Sequence, residues 1–456
     1  MDRFPDVAAA APVSALKLSE LIGSLSYALD LTEGQPEGHC VRSCWIGMHV
    51  GREAGLAPQE LWELYYTLLL KDIGCSSNAA RICELYLTDD LRFKRDFKLV
   101  RDSTPHLIAF VLKHTGLKAG LAERFRAVLA MLRDGQDTAQ ELIVTRCSRG
   151  AAIARLLRFP ESVAAGIYSL DEHYNGKGRP NRLKGKAIPV YARIALLAQL
   201  VDVFHTAGGG EAALAELRHR SGSWLDPELV RAFERVAAGD GFWTRLAAPD
   251  LAACVFAMEP AGHTMPIDDD YLDDIATAFG QVVDSKSPYT GGHSARVALY
   301  TDMIAESLGL SPERRRWLKR GALLHDVGKL GVSNSILDKA GALDREEWAQ
   351  VRRHAEFTET ILTRIDAFAE LGRIAGAHHE RLDGGGYPRG LAADRIALET
   401  RIITTADIFD AITADRPYRA AIPPQQALAM MEKTVGTALD PRCFAALKDA
   451  VARVAL

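Results

Sequence analysis

The chain repeats itself, and this limits its fold more than any other feature. The segment Gly38-His39 … Arg42 … Gly55-Leu56-Ala57-Pro58 … Leu70-Lys71-Asp72-Ile73-Gly74 reappears later in the chain. There it reads Gly292-His293 … Arg296 … Gly309-Leu310-Ser311-Pro312 … Leu324-His325-Asp326-Val327-Gly328, at a constant offset of 254 residues. A second stretch, Glu172 … Gly176-Lys177-Gly178-Arg179-Pro180 … Arg193-Ile194 … Asp202, matches Glu380 … Gly384-Gly385-Gly386-Tyr387-Pro388 … Arg401-Ile402 … Asp410 at an offset of 208. The two offsets differ by 46, so the first copy carries an insertion between Cys75 and Arg146. Fixed-offset similarity means one structural unit built twice. At 456 residues the chain also exceeds the roughly 250–300 at which a single core stops growing. Two domains are expected, residues 1–257 and 258–456, joined near 245–268, where Pro249, Pro260, Gly262 and Pro266 cluster.

Apolar residues recur at three- and four-residue intervals with few alternating runs, which predicts an all-α fold. Ser311-Pro312 is a helix-start signal, followed by a stripe of Trp317, Gly321 and Leu324. A second helix carries Trp348, Val351, His354, Thr358 and Ile361 at the same spacing. Asp383-Gly384-Gly385-Gly386-Tyr387-Pro388 is too glycine-rich to be helical and predicts a loop. A formal charge of −4 gives no electrostatic reason to bind a nucleic-acid duplex or a membrane surface. Seven scattered cysteines without a CxxC pair fit a reduced, cytoplasmic setting better than a disulfide framework. No stretch approaches the roughly 18 uninterrupted apolar residues of a membrane span, and Pro12 and Lys17 interrupt the alanine-rich start, against a signal peptide.

The second copy concentrates metal-binding side chains: His293, His325-Asp326, His354, His378-His379 and Asp407. Adjacent helical residues point about 100° apart, so each adjacent pair can serve two metals, or one metal and its bridge. His354 shares a stripe with Val351 and Ile361, His378 follows Leu371 and Ile374, and Asp407 follows Ile403. These ligands therefore face the core side of their helices. Any one of them alone reads better as a core histidine. The ordered set does not.

His325-Asp326-Val327-Gly328-Lys329 and His378-His379-Glu380 … Asp383-Gly384-Gly385-Gly386-Tyr387-Pro388 resemble the two motifs that define the HD-GYP family. Ala406-Asp407-Ile408-Phe409-Asp410 … Arg416-Pro417-Tyr418-Arg419 resembles the segment that follows them, and the similarity spans about residues 268–450. The resemblance implies two tandem HD-type helical bundles, the second catalytic. It implies a centre of two divalent transition metal ions, iron or manganese, held by His293, His325, Asp326, His354, His378, His379 and Asp407, with Asp326 as the bridge. Lys329, Tyr387, Asp410, Arg416 and Arg419 resemble substrate-contacting positions, and Asp326 and Lys329 are the expected catalytic residues. The implied reaction is hydrolysis of cyclic di-GMP to linear pGpG or GMP by a water activated between the metals. Seven such ligands, two divalent cations and a hydroxide leave the centre near +1, suited to a phosphodiester. Two positions depart from the family pattern: Tyr289 replaces the carboxylate of a third metal, and Ala355 stands where proline is frequent.

Carried through the two offsets, the first copy keeps His39 and Asp72 but has Lys71, Arg146, Leu170, Asp171 and Gln199 at the other five ligand positions. Cys75 stands at the position of Lys329 and Arg179 at that of Tyr387. Charged lysine and arginine offer no lone pair to a metal, so this copy is expected to be degenerate. Lys71 and Arg146 are expected to pair with Asp72 and Asp171 in place of the lost cations. A site built from His39, Cys40, Cys44 and Cys75 is the weaker alternative. The first copy is left to dimerise the chain, sense a ligand or regulate its neighbour. Two alternatives to cyclic di-GMP hydrolysis stay open: a non-catalytic cyclic dinucleotide sensor or scaffold, and a phosphodiesterase for cyclic GMP-AMP. The glycine-rich loop is either a simple tight turn, a lip over the site, or a surface for a GGDEF-type partner domain.

Overall fold

The structure is a computed structural model that describes residues 16–100, 104–116, 120–261, 265–415 and 420–454. Arg416 and Arg419 lie outside the described residues. Among those described there is no strand; the elements are α-helices and short 3-10 turns.

The repeat is visible helix by helix. His39–Glu53 and Pro58–Leu70 in the first copy correspond end to end with His293–Ser307 and Pro312–Leu324 in the second. Both second helices of these pairs begin with proline, which needs no N–H partner in the first turn. Ser311 caps the later one by accepting from the Arg314 N–H at 3.3 Å. Both first helices begin at a glycine in the left-handed region, Gly38 and Gly292, over a buried carboxylate. Asp30 accepts the Gly38 and Cys40 N–H groups at 2.7 and 2.9 Å. Asp284 accepts the Ser294 N–H at 3.2 Å. Anionic groups at this end complement the helix dipole.

The insertion is helical. Ala79–Tyr86, Asp90–Phe97 and Thr104–His114 precede an N-terminally extended helix, Leu121–Leu156. At the join, the proline- and glycine-containing stretch is partly helical too, as Phe242–Leu246 and Leu251–Ala257. The next helix, Asp269–Asp284, is wedged between the copies. Its Tyr271 hydroxyl donates to the Leu157 carbonyl at 3.2 Å, and its Asp273 accepts from Arg316 and Arg320.

The main hydrophobic cluster runs across both copies, from Leu21, Leu25, Trp62 and Leu69 to Tyr271, Phe279, Leu330 and Phe368. A second cluster is internal to the second copy and gathers Val297, Ile304, Leu318, Ile402, Phe409 and Leu447. Ile82, Phe93 and Phe110 form a small core of their own within the insertion.

Among the described residues one helix, Val190–Arg220, is long and apolar enough to span a membrane by length and composition, although Arg193 and Asp202 interrupt its apolar run. Gly208 and Gly209 break it, Gly209 with φ of +78°, and two thirds of its most apolar window is buried inside the protein. It is packed as a core helix.

Candidate metal centre

The seven expected ligands come from five places in the chain and meet at one point. His293 opens the helix His293–Ser307, and His325 and Asp326 follow the C-terminal end of Pro312–Leu324. His354 lies within Arg345–Leu362, His378 and His379 follow Ala369–Ala375, and Asp407 lies in Leu398–Thr413. The ligand atoms of His293, His325 and Asp407 lie within 4.8 Å of one another, as do those of His354, His378 and His379. Asp326 stands between the two groups. Its Oδ2 is 3.4 Å from His293 Nε2 and 3.3 Å from His325 Nε2. Its Oδ1 faces His354 Nε2 at 3.5 Å and His378 Nε2 at 3.7 Å. A carboxylate that turns one oxygen to each of two imidazole groups has the disposition of a bridge.

The backbone fixes which nitrogen points inward. Nδ1 of His325, His354 and His378 lies 2.7, 2.5 and 2.7 Å from the carbonyls of Ala322, Val351 and Ala375. His293 Nδ1 lies 2.7 Å from Asp410 Oδ2. Each contact leaves Nε2 as the free lone pair, the arrangement in which metal-binding histidines are oriented. His293 Nε2, His325 Nε2 and Asp326 Oδ1 are buried without a hydrogen-bond partner. Orphaned buried acceptors are costly, and an imidazole-rich set with two carboxylates suits transition metals over magnesium or calcium. The residues present fit a two-metal centre.

Electrostatics divide the site. Burial opposes charge on His325, but Asp326 and Asp407 beside it raise its pKa to about 10. Burial also opposes charge on Asp326 and Asp407, yet the neighbouring imidazoles hold both carboxyls well below the ordinary range, with Lys329 adding to the effect on Asp326. At His354 and His379 burial outweighs the pull of the carboxylates, and their pKa values fall to about 4 and about 3. The carboxylate side thus draws positive charge, while the His354 and His379 side presents neutral imidazoles.

Lys329 Nζ lies 2.5 Å from Asp326 Oδ2 with its side chain partly exposed. Tyr387 is half-buried, its ring centroid 4.7 Å from that of His379 and with Arg352 over its other neighbourhood at 5.3 Å. The segment after it is tied down by Glu380, which accepts the Arg389 and Leu391 N–H groups at 2.7 and 2.8 Å.

Asp410 departs from expectation. It is 1% exposed, with Oδ2 on His293 and both oxygens held by Arg296 at 2.6 and 3.1 Å. Both carboxylate oxygens are thus engaged by protein groups, in a position to orient His293. Sequence reasoning also missed Arg296 and Glu380 in these roles. The signal was present, because Arg42, Asp202 and Glu172 occupy the same positions in the copy that lacks the ligands. Arg42 Nε meets Asp202 Oδ1 at 2.5 Å, His39 Nδ1 meets Asp202 Oδ2 at 2.6 Å, and Glu172 accepts two backbone N–H groups at 2.6 and 2.8 Å.

In that first copy Lys71 Nζ lies 2.8 Å from His39 Nε2 and 3.3 Å from Gln199 Oε1, and it pairs with Asp72. Arg146 pairs with Asp171. Both nitrogens of His39 are therefore engaged, which leaves none for a site with Cys40, Cys44 and Cys75. Glu33, Lys94 and Lys98 were not expected at this place. Glu33 lies beside Asp72 and Cys75, and Lys98 from the insertion reaches it at 2.7 Å. Burial works against the Glu33 charge, but Lys98 and Lys94 hold its pKa down at about 2.

A family model described as an HD domain matches residues 120–229 and 278–443. The chain is 58% identical over 434 residues, 95% of its own length and 94% of the relative's, to the 3′3′-cGAMP-specific phosphodiesterase 3 of Vibrio cholerae. Over a shorter span, 34% of this chain and 43% of that protein, it is 41% identical to a cyclic di-GMP phosphodiesterase response regulator of Xanthomonas campestris. A crystal structure of a cyclic GMP-AMP specific phosphodiesterase from V. cholerae is similar with a TM-score of 0.66 and 52% identity, covering 95% of this chain and 97% of that one. The matches reach both copies, the second copy bears both defining motifs, and the chain belongs to the HD domain family in its HD-GYP branch.

Proposed function

We propose that the second copy hydrolyses a cyclic dinucleotide at a two-metal centre and that its substrate is 3′3′-cyclic GMP-AMP. The reading of hydrolysis is carried by the convergence of seven candidate ligands, among which His293 Nε2, His325 Nε2 and Asp326 Oδ1 are buried without a hydrogen-bond partner. Expectation from sequence put cyclic di-GMP first. The 58% identity across nearly the whole chain to a cyclic GMP-AMP enzyme favours the alternative, since the cyclic di-GMP relatives match only about a third of it.

His293, His325, Asp326 and Asp407 would hold one metal, and His354, His378 and His379 the second, with Asp326 shared. Two such cations, iron or manganese, supply an activated water and charge neutralisation at a phosphodiester. Lys329, partly exposed beside Asp326, donates to phosphoryl oxygens as their charge grows. Asp410 and Arg296 keep His293 in one tautomer, and Tyr387 walls the His379 side. The first copy is non-catalytic in this reading, because Lys71 fills the place of His325. All seven cysteines are free, in keeping with a reducing, cytoplasmic setting.

The test is anaerobic purification of the full chain, metal quantification, and a panel of cyclic dinucleotides with wild type and Asp326→Ala. Two metals per wild-type chain and preferential opening of cyclic GMP-AMP to linear products are expected, with both lost in Asp326→Ala. Metal-loaded protein that binds the panel without turnover would make it a sensor and overturn the proposal.

A further inference from the structure

Two cavities lie side by side next to the candidate centre. One, of about 610 Å³, is lined by Lys329, Val351, Trp348 and Tyr289, and so opens directly on Lys329 and on the helix that carries His354. The other, of about 720 Å³, is walled on one side by Asp284, Tyr289 and Asp338 of the second copy. Its other wall is the first copy's Arg81, Glu84 and Arg149. Ser287, Tyr289 and Asp338 line both cavities and form the partition.

Charges in the composite cavity are spoken for, with one exception. Arg81 pairs with Glu84 at 2.8 Å and approaches Glu141 at 3.8 Å. Asp284 accepts from Ser294 Oγ at 2.7 Å, and Asp338 accepts from Ser287 and Asn334 at 2.5 and 2.6 Å. Arg149 is exposed and has no hydrogen bond or ion pair among the described residues. Tyr289 is 38% exposed, and its side chain has no hydrogen bond, ring or cation–π partner among the described residues. An unpaired guanidinium on one wall of a cavity and a partly open aromatic ring on the other can together recognise a nucleobase. Aromatic rings stack bases, and arginine donates bidentately to guanine O6 and N7, a pattern that adenine breaks with its N6 amino group. The carboxylates Glu84, Asp284 and Asp338 that line the same cavity disfavour a second phosphate there and leave a neutral base edge as the better occupant.

We propose that the first copy takes part in substrate selection: the guanine of the cyclic dinucleotide stacks on Tyr289, and Arg149 reads its O6/N7 edge. The proposal rests on the cyclic dinucleotide reading above. It assigns Arg149 and Tyr289 to specificity, with no part in bond breaking, and gives the degenerate copy a direct role at the active cleft.

The experiment uses the full metal-loaded chain and measures kcat and KM for cyclic GMP-AMP, its 7-deazaguanine analogue and cyclic di-AMP. Arg149→Ala, on the surface, is expected to raise KM for cyclic GMP-AMP by about 5- to 150-fold, the span of one bidentate base contact, with kcat and cyclic di-AMP kinetics unchanged. The 7-deazaguanine analogue, which lacks the N7 acceptor, should lose affinity for wild type and lose nothing further in Arg149→Ala. Tyr289→Phe should retain the wild-type KM and Tyr289→Leu should not. If wild type opens cyclic GMP-AMP but Arg149→Ala leaves its KM and the analogue penalty intact, this inference fails and the catalytic reading stands. If wild type opens none of the three substrates, the catalytic reading itself has failed, and this one with it.

Discussion

Asp410→Asn separates a positioning role from a substrate-binding one. In the wild type, Asp410 accepts from His293 Nδ1 at 2.7 Å and from Arg296 at 2.6 and 3.1 Å, so both oxygens are committed. Asparagine keeps a single acceptor. Its amino group must then face either the imidazole N–H or the guanidinium, donor against donor, and the negative charge that favours the Nδ1–H tautomer is gone. Outer partners of metal-binding histidines are typically worth 10- to 100-fold in metal affinity or activity, or about 1.4–2.7 kcal/mol. The larger figure is the better expectation here, because the buried geometry allows no replacement by water. Competition with a chromophoric chelator gives the metal affinity directly, and steady-state kinetics at limiting and saturating metal gives the rest. Turnover should fall at limiting metal, recover at saturating metal, and show an unchanged KM for the cyclic dinucleotide throughout. Wild-type metal affinity combined with a raised KM would refute the reasoning and return Asp410 to the substrate-contacting role that the motif resemblance suggested. Asp202→Asn, the matching change on the first copy's His39 and Arg42, serves as control and should leave metal affinity unchanged.

Two further perturbations act on the supports of each copy. A Cβ on Gly328 would meet the His354 carbonyl oxygen at 2.0 Å, and one on Gly74 would meet the Arg146 carbonyl oxygen at 2.0 Å. Gly328→Ala and Gly74→Ala should each lower unfolding stability in urea by about 1–3 kcal/mol, but only Gly328→Ala should reduce bound metal. Glu33, with its pKa held down from 4.5 to about 2, contributes stability that is complete above pH 4.5 and lost as pH falls towards 2. Lys98→Met leaves that buried carboxylate without its nearest cation, so urea unfolding at neutral pH should show a loss of about 3–5 kcal/mol, and the acid decline between pH 4.5 and 2 should flatten.

The clustering of imidazoles and carboxylates in the second copy was legible because motif and spacing are local. His325-Asp326, His378-His379 and the glycine-rich loop each occupy a few adjacent residues, and the helical stripe of Val351, His354 and Ile361 gave the inward face without any tertiary information. Helix starts were equally plain at Ser311-Pro312, where the cap signal is contiguous. What the sequence hid was long-range. Nothing near Asp410 says that its two oxygens are used up by residues more than a hundred positions away. The insertion was readable as a length of 46 residues but not as the source of Lys94 and Lys98, which return to the old ligand pocket beside Glu33. Hydropathy likewise did not reveal that one core crosses both copies, because apolar helical faces look alike whichever partner they meet.

That shared core makes the second copy dependent on the first, even though all seven ligands lie in residues 258–456. Asp90, fully buried in the first copy, accepts from Ser333 Oγ and the Asn334 N–H at 2.9 Å each and stands 3.5 Å from Lys286 Nζ, itself 2% exposed. Burial pulls the Lys286 pKa down and Asp90 is the group that offsets it. Deleting residues 1–257 would remove that counter-ion, the carbonyl that receives the Tyr271 hydroxyl, and the apolar surface against Phe279 and Leu330. Ser287, next to Lys286, and the Asn334–Leu337 turn both border the cavity that opens on Lys329, so loss of order there reaches Lys329 without touching any of the seven candidate ligands. The isolated fragment should therefore melt below the full chain and lose kcat/KM at saturating metal, whereas Asp90→Asn in the full chain should reproduce part of the kinetic loss with most of the stability kept. A fragment that melts with the parent and turns over at the parental rate would mean that the two cores are independent and that the contacts through Asp90 carry no coupling.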